Sequence, residues 1–290
     1  MNGMHLRHLS ENHRGILAMS LAMACFIGND ALVKQASLSL PGPQLIFIRG
    51  LFATILLLIV AQSLGQLRQV HLMLNKRLWL RGAVDACASL TYLTALFHLP
   101  LGNATAINLA SPLFIVLLAM IFFKEKVGVR RGLYVLLGFG GVLLVVQPSV
   151  EGFNAYALLC VGATLLHATR DTMTRAIGLH IPSMLITLST AVAVTLGSGS
   201  ITLTQTWVPV TLDLTGLLLG ASIFLAVAYY FLIVAMRAGE MSVVSPFRYS
   251  GLLFALCIGY WFWGEVPNVL AWAGIALLVA SGLLILHESS

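Results

Sequence analysis

Charged side chains are scarce in this chain: Asp, Glu, Lys and Arg make up 9% of its 290 residues, and hydrophobic residues make up 59%. A soluble globular domain usually contains about 25% charged residues. Apolar stretches of roughly 18 or more residues recur along the whole chain, and each is long enough to cross a hydrocarbon core about 30 Å thick as a helix. Transmembrane strands would instead be alternating segments of about ten residues. The scarcity of charge therefore predicts an all-α polytopic membrane protein.

The chain also lacks motifs that indicate an enzyme. It has no Gly-Lys-Ser/Thr phosphate loop, so direct ATP drive is excluded for this chain alone. A zinc protease needs a His-Glu-x-x-His motif, and no glutamate occurs between residues 151 and 240. An intramembrane enzyme is therefore only the most distant alternative, and we expect neither a catalytic residue nor a cofactor.

Cysteine is rare, and its spacing is uninformative. The four cysteines stand alone inside apolar runs, at Cys25, Cys87, Cys160 and Cys257. Because this spacing matches neither a zinc site nor a redox motif, we expect these side chains to pack as small apolar groups. The sequence predicts no metal site.

Ten apolar runs are candidates for transmembrane helices. The breaks between them contain turn-forming residues, for example at Leu40-Pro41-Gly42-Pro43 and Ile181-Pro182. A short segment, residues 1–14, precedes the first run, and we place it in the cytoplasm. The predicted spans are 15–36, 43–64, 78–98, 102–123, 129–147, 154–176, 182–203, 214–236, 241–263 and 268–287.

Lysine and arginine are distributed unevenly between the two sides of these spans. With the N-terminus in the cytoplasm, 13 of the 16 Lys and Arg residues fall in inside segments. Because cytoplasmic loops carry an excess of these residues, this orientation is favoured, and ten spans return the C-terminus to the cytoplasm. The net charge of +6 is then explained without a nucleic acid partner. We expect a multi-pass membrane protein that acts as a monomer.

Two acid–base pairs link the first and second halves of the chain. Asp30 and Lys34 in the first span correspond to Asp171 and Arg175 in the sixth, at a shift of about 140 residues. Each pair is spaced by one helical turn, so its acid and its base share one helix face. This correspondence indicates an internal repeat.

Two hinge segments support the same repeat. The segments around Glu125 and Glu265 both follow a long apolar run and open another, but only the first is rich in cations. Five spans per half is an odd number, so the second copy must begin on the opposite side of the membrane. The sequence therefore predicts two inverted five-helix repeats around a central cavity, residues 15–147 and 154–287.

The ends of spans 4 and 9 carry a family resemblance. Residues 112–125 end in Phe123-Lys124-Glu125, and residues 252–265 end in Trp263-Gly264-Glu265. Together with the opening of span 2 from Pro43 to Arg49, they resemble the drug/metabolite transporter superfamily in its ten-helix form with two EamA-type repeats. The resemblance covers essentially the whole chain and implies a secondary transporter of a bacterial inner membrane, but it says little about cargo.

Two finer features concern span 9. The chain length and the run Ser245-Pro246-Phe247-Arg248-Tyr249 look closest to bacterial amino-acid exporters of the YddG type. Span 4 keeps the family-like Pro112, whereas the aligned position in span 9 is Leu252. We therefore expect the second half to bend at Pro246 instead.

Charged residues within the spans are the first candidates for function. A charge at the centre of a membrane helix costs at least about 2.5 kcal/mol, so each charge needs a partner or a cavity. Asp30 and Lys34 lie towards the outside, and Asp171 and Arg175 lie towards the inside. Two interpretations stay open: self-neutralising local pairs, or outer and inner gates that pair across the interface between the repeats.

Arg248 is the candidate for binding substrate. It lies well inside span 9 without an acid one turn away, and Tyr249 beside it suits a polar, aromatic-lined pocket. Asn108 falls at the same place in the other repeat. A guanidinium group can hold a substrate carboxylate through two hydrogen bonds. Pairing with Asp85, which we take to lack a nearby helical partner, is equally compatible.

Other polar residues also have two interpretations. Arg49 lies at a shallow depth, which favours snorkelling or a structural hydrogen bond. His167 is either a buried, hydrogen-bonded residue or a proton-linked, substrate-binding one. Tyr92 in span 3 and Tyr230 in span 8 are candidates for stacking on cargo. Because adjacent residues of a helix point about 100° apart, at most one of Tyr229 and Tyr230 faces a central cavity.

Glycines in spans 5 and 10 indicate a scaffold. Gly138, Gly140 and Gly141 permit close approach of a neighbouring helix. We expect spans 5 and 10 to hold the frame, while spans 1, 3, 4, 6, 8 and 9 enclose the cavity.

These observations predict a secondary transporter that exports small metabolites by alternating access, with amino acids as the first candidates. Proton coupling through Asp30, Asp85, His167 or Asp171 and facilitated efflux both stay open. Export of lipophilic cations would need a free carboxylate, for which Asp85 is the candidate. Export of nucleotide-type metabolites would favour a cluster of cations facing the cavity.

Overall fold

Helices make up the regular structure of the described chain. The computed structural model describes residues 2–122, 128–146, 154–175, 181–237 and 245–288, and these ranges contain no strand. The all-α prediction is confirmed. The helices are α1 (Asn2–Ala36), α2 (Gly42–Ser63), a 3₁₀ helix (Gln66–Leu74), α3 (Lys76–Leu96), α4 (Leu101–Asn108), α5 (Ser111–Phe122), α6 (Val129–Val146), α7 (Ala155–Arg175), α8 (Ser183–Thr202), α9 (Leu212–Arg237), a second 3₁₀ helix (Ser245–Tyr249), α10 (Ser250–Trp263) and α11 (Val269–Glu288).

Among the described residues, span 4 is interrupted and span 9 changes from a 3₁₀ helix to an α-helix, and a proline lies at or beside each of these places. Span 4 divides into α4 and α5 at Leu109–Ala110, just before Pro112. Proline has no backbone N–H, so Pro112 cannot donate the hydrogen bond that a continuous helix would make to the Asn108 carbonyl. In span 9, Pro246 lies in the 3₁₀ helix that precedes α10. The bend expected at Pro246 therefore falls on a 3₁₀ segment and not on a regular α-helix.

Several helices are long and apolar enough to cross a membrane by themselves. The segments that meet this criterion are His13–Ala36, Gly42–Ser63, Met184–Thr202 and Leu212–Leu232. The apolar helical segments Leu101–Ile115, Gly132–Val145 and Val269–Leu284 are shorter. Helices α3 and α7 fall outside both groups, and each has arginine and aspartate in its interior. These charged residues, Arg81 and Asp85 in α3 and Arg170 and Asp171 in α7, pair with one another.

The packing of the helices relates the two halves of the chain. Helix α1 packs against α9, and α3 packs against α7. In an inverted repeat, span 1 corresponds to span 6 and span 3 to span 8, so these are the same contact made twice. Helix α2 packs against its own counterpart α8, and α6 packs against its counterpart α11. The helices thus pack as two inverted five-helix repeats would.

Glycine brings α6 and α11 close together. A Cβ atom added at Gly141 would lie 2.7 Å from the Gly274 carbonyl oxygen, and one added at Gly138 would meet Leu113 and Ser281. The predicted close approach is confirmed at these two positions. It is wrong for Gly140, where an added Cβ would meet nothing within 4 Å. Adjacent residues point about 100° apart on a helix, so only one of two neighbouring glycines can face α11.

We expect Gly141→Ala to lower the stability of the protein by about 1–3 kcal/mol, because its methyl group would overpack the α6–α11 contact. The rigid backbone of α11, including the Leu278 amide nitrogen 3.0 Å from the added Cβ, leaves no room for it. Gly140→Ala is the matched control, since alanine is favoured over glycine in a helix by about 0.5–1 kcal/mol. Thermal unfolding in detergent measures both variants, and equal melting temperatures would contradict this account of the interface.

Candidate functional site

A cavity lies between the two halves, and its wall is formed by α2, α3, α7, α8 and α9. The empty space among these side chains measures about 620 Å³, including its open end. The predicted wall is therefore corrected: α2 and α8 contribute to it, whereas no described residue of α1, α4 or α10 does. The lining residues are Arg49, Gly50, Ala53, Leu57, Ser89, Tyr92, Leu93, His167, Thr187, Thr190, Ala191, Val194, Leu225 and Tyr229.

Arg49 is the fixed positive charge of this wall. Its side chain does not snorkel to a surface, because the residue is only 7% exposed. Its Nη1 donates to Asn29 Oδ1 over 3.1 Å, which is the structural hydrogen bond that the sequence favoured. Its Nε is buried and has no hydrogen-bond partner. Buried polar groups are normally paired, so this Nε is an unused donor on a side chain that lines the cavity.

Asp30 lies behind the cavity wall and is held by neutral donors. Tyr92 Oη donates to its Oδ2 over 3.0 Å, and Asn29 Nδ2 donates to its Oδ1 over 2.8 Å. The predicted local pair with Lys34 is not among the ion pairs of the described residues. Lys34 instead extends towards the other half of the chain.

Lys34 and Glu265 join the two halves at the end predicted to face outwards. Lys34 Nζ lies 2.5 Å from Glu265 Oε1 and donates to the Leu99 carbonyl oxygen over 2.6 Å. Glu265 Oε2 accepts from the Leu101 backbone N–H over 2.7 Å. We call these four residues the outer latch. It ties α1 and the α3–α4 turn to the loop between α10 and α11.

The loop of the outer latch depends on a glycine. Gly264 ends α10 in the left-handed conformation, at φ +64°. Its N–H donates to the Tyr260 carbonyl, and the Glu265 N–H donates to the Gly259 carbonyl. This common way of ending a helix reverses the chain at Glu265. The sequence identified Glu265 only as a repeat marker, because its partner lies 231 residues away.

Asp85 anchors a second cluster at the end predicted to face inwards. The residue is 1% exposed, and its Oδ1 accepts from Arg170 Nη1 over 2.8 Å. Its Oδ2 accepts from Thr190 Oγ1 over 3.0 Å and lies 3.5 Å from Arg81 Nη1. The interpretation that Asp85 lacks a helical partner is wrong, since Arg81 stands one turn earlier on α3. Arg170 also pairs with Asp171 over 2.8 Å.

Arg81 and Arg170 are two of the 13 Lys and Arg residues that the sequence places on the inner side, and their only predicted role was to set the orientation of the chain. The spacing of Arg81 and Asp85 was a detectable signal for an ion pair on one helix face. No comparable signal linked Asp85 to Arg170, because the two residues lie on different helices. Of the predicted Asp171–Arg175 pair, the side chain of Arg175 lies outside the described residues, as do residues 123–127 with Glu125.

Three of the predicted substrate-binding residues lie together. His167 and Tyr92 both line the cavity, with ring centroids 5.8 Å apart. His167 Nδ1 lies 3.0 Å from Asn108 Oδ1, at the C-terminal end of α4. Asn108 can only accept through this oxygen, so the contact requires a proton on Nδ1. Helix α4 thus ends, just before the break in span 4, at a residue that positions His167.

The tyrosine of span 8 that lines the cavity is Tyr229, and not the predicted Tyr230. Tyr229 packs edge-on against Phe26, with ring centroids 5.3 Å apart. Tyr230 is 55% exposed and contacts Phe231. The expectation that at most one of the two faces the cavity holds, because a 100° rotation separates them.

Arg248 and Tyr249 lie in the second 3₁₀ helix and are not among the described residues that line the cavity. The phenol of Tyr249 rests against Gly282 of α11, where a side chain would collide with its hydroxyl group. Tyr249 therefore belongs to the scaffold. Arg248 Nε is buried and has no hydrogen-bond partner. Asp85 does not supply one, because it pairs with Arg170 and Arg81.

The chemistry of the cavity follows from these positions. Among the described residues, the wall presents one permanent cation, Arg49, and no carboxylate. Hydroxyl groups from Ser89, Thr187 and Thr190 add polar contacts, and leucine, valine and tyrosine side chains supply the apolar surface. Such a cavity suits a small molecule that combines an anionic group with an apolar or aromatic body.

Known proteins resemble the chain over nearly its whole length. A model of the EamA-like transporter family matches residues 13–147 and 154–287. The chain is 30% identical over 281 residues to the pseudopaline exporter of Pseudomonas aeruginosa strain PAO1, covering 92% of this chain and 94% of that protein. It is 26% identical over 273 residues to the riboflavin transporter of Vibrio cholerae, covering 92% and 91%.

Two further matches extend this comparison. The chain is 25% identical over 282 residues to the S-adenosylmethionine uptake transporter of Rickettsia conorii, covering 94% of this chain and 92% of that protein. A solved crystal structure superimposes with a TM-score of 0.66 at 16% identity, covering 95% of this chain and 99% of that one. At this identity the structural match concerns the fold alone.

Proposed function

We propose that this chain, which belongs to the EamA-like transporter family, exports amino acids or closely related small metabolites across a bacterial inner membrane. Transport of small metabolites is common to the named relatives, and the chain is a transporter of this drug/metabolite superfamily. The choice of amino acids, the outward direction and the bacterial inner membrane are our proposal.

The charge of the cavity wall is the observation that supports amino acids as the transported molecules. The described lining has one fixed cation and no carboxylate, which favours a molecule with an anionic group. The surrounding hydroxyl and apolar side chains suit the rest of a small amino acid. One named relative takes up S-adenosylmethionine, and that molecule contains an α-amino acid group.

The outer latch supports an alternating-access mechanism. It closes one end of the molecule with an ion pair between the two halves, Lys34 from the first and Glu265 from the second. Inverted-repeat transporters expose a central site to one side at a time by moving one repeat against the other. An ion pair that forms only when one end is closed is a suitable gate for such a movement.

The same wall argues against a lipophilic cation as the cargo. A buried cation would need a free carboxylate, and Asp85 was the candidate for it. Asp85 is 1% exposed and already neutralised by Arg170 and Arg81. Nucleotide-type metabolites carry several negative charges, for which a single lining arginine is a poor match.

Counterflow into proteoliposomes tests the proposal. Vesicles with the purified protein are loaded with one unlabelled compound at a time and exposed to its labelled form, using single amino acids, S-adenosylmethionine, riboflavin and a lipophilic cation. We expect saturable exchange of at least one amino acid. Exchange of the cation or of riboflavin without any amino acid would overturn the proposal. Repeating the assay with an imposed pH gradient distinguishes proton coupling from facilitated efflux.

A further inference from the structure

We infer that Arg49 binds the carboxylate of the transported molecule, and that Asn29 keeps its guanidinium group free to do so. This inference rests on the function proposed above and names the residue that selects the cargo. The sequence assigned the carboxylate clamp to Arg248 and gave Arg49 no role in binding.

The first argument is the unused donor of Arg49. A carboxylate binds an arginine through two parallel hydrogen bonds to one edge of the planar guanidinium group. Nη1 of Arg49 is occupied by Asn29 Oδ1, but Nε has no partner although it is buried. An unpaired buried donor is unfavourable. A bound carboxylate would satisfy it, which gives the anion a reason to bind at this point of the wall.

The second argument is the arrangement of the neighbouring charges. Arg49 is not directly paired with Asp30, because the side chain of Asn29 lies between them and bonds to both. Asp30 is further engaged by the hydroxyl group of Tyr92. The amide of Asn29 therefore acts as a spacer. It keeps the negative charge of Asp30 near Arg49, which lowers the cost of burying the arginine. The two residues nevertheless form no direct ion pair.

The third argument compares the other arginines of the spans. Arg81 and Arg170 each have an aspartate partner, so their charges are already compensated. Arg248 has an unpaired Nε, but it is not among the described residues that line the cavity. Arg49 alone combines an unpaired donor with a place in the described wall. Leu93, Val194 and Leu225 also line the cavity and suit a cargo with an apolar side chain.

The test compares Arg49→Gln with Arg49→Lys and with a control. For an amino acid that the wild-type protein exchanges, the apparent KM is measured for the free acid and for its amide. We expect Arg49→Gln to raise the KM for the acid about 10- to 100-fold, because a charge-assisted hydrogen bond is lost. The preference for the acid over the amide is expected to disappear. Arg68→Gln is the control, since Arg68 is exposed in the first 3₁₀ helix.

Arg49→Lys keeps the charge but has no planar fork, so we expect it to retain the preference for the acid with an intermediate KM. If Arg49→Gln does not yield folded protein, Arg49→Lys is used for the test instead. Its KM is then expected to rise for the acid and not for the amide. An equal change for acid and amide in either variant overturns the inference and leaves Arg49 a structural role. A wild-type protein that exchanges no carboxylate overturns the proposed function instead.

Discussion

Glu265→Lys is expected to reduce transport to near background, because it places two cations together at the outer latch. Lys34 and Glu265 are largely buried, with side chains 10% and 18% exposed. Breaking a buried ion pair by removing one partner costs about 3–5 kcal/mol. A loss of this size lowers the equilibrium ratio of closed to open outer end by a factor of about 10² to 5 × 10³. A carrier that cannot close this end cannot complete its cycle.

Counterflow with a transported amino acid measures this effect. Glu265→Gln is expected to retain part of the activity, because its amide oxygen can still accept from the Leu101 N–H. The double variant with Lys34→Glu and Glu265→Lys is expected to restore transport only in part. The reversed pair attracts, but the glutamate at position 34 would face the Leu99 carbonyl oxygen, which Lys34 now contacts.

Asp213→Lys is the matched control for charge reversal at this end of the molecule. Asp213 is exposed in the first turn of α9 and belongs to no ion pair of the described chain. The Asp213→Lys variant is expected to transport nearly as well as the wild-type protein. Wild-type rates for Glu265→Lys would show that the outer latch does not take part in transport.

Asp85→Ala is expected to destabilise the protein by about 3–5 kcal/mol, because it leaves two arginines without their buried countercharge. Asp85 accepts from Arg170 and lies beside Arg81, and its side chain is 2% exposed. Within a membrane protein an uncompensated charge of this kind has no water to solvate it. We expect poor recovery of the variant and a large fall in its melting temperature in detergent.

Asp171→Ala is the matched comparison, since Asp171 binds the same Arg170. Its side chain is 34% exposed, and partly hydrated ion pairs contribute only about 0–1 kcal/mol. A small fall in melting temperature is therefore expected for this variant. Replacing Arg170 with Met together with Asp85→Ala should recover part of the loss. Equal effects of Asp85→Ala and Asp171→Ala would contradict the central role of Asp85.

The internal repeat relates the outer latch to Arg175 and Glu125, and the Arg175 side chain and residue Glu125 lie outside the described residues. At a shift of about 140 residues, Lys34 corresponds to Arg175 and Glu265 to Glu125. The sequence identified the mirrored bases and the mirrored glutamates. It left two interpretations open for the bases, pairing with the aspartate on the same helix or pairing across the interface between the repeats.

Local properties of the sequence determined the helical class, the two repeats and the places where spans 4 and 9 depart from a regular α-helix. Hydropathy and the distribution of Lys and Arg report the environment of each segment, and proline acts on the hydrogen bonds of its own helix. Only the tertiary structure decided which partner each buried charge has. Lys34 pairs with Glu265 and not with Asp30, and Asp85 pairs with Arg170 of another helix. The rotation of each helix likewise placed Arg49 and Tyr229 in the cavity wall and left Tyr230 outside it. Such choices depend on which helix faces lie together, and the sequence of one helix does not contain that information.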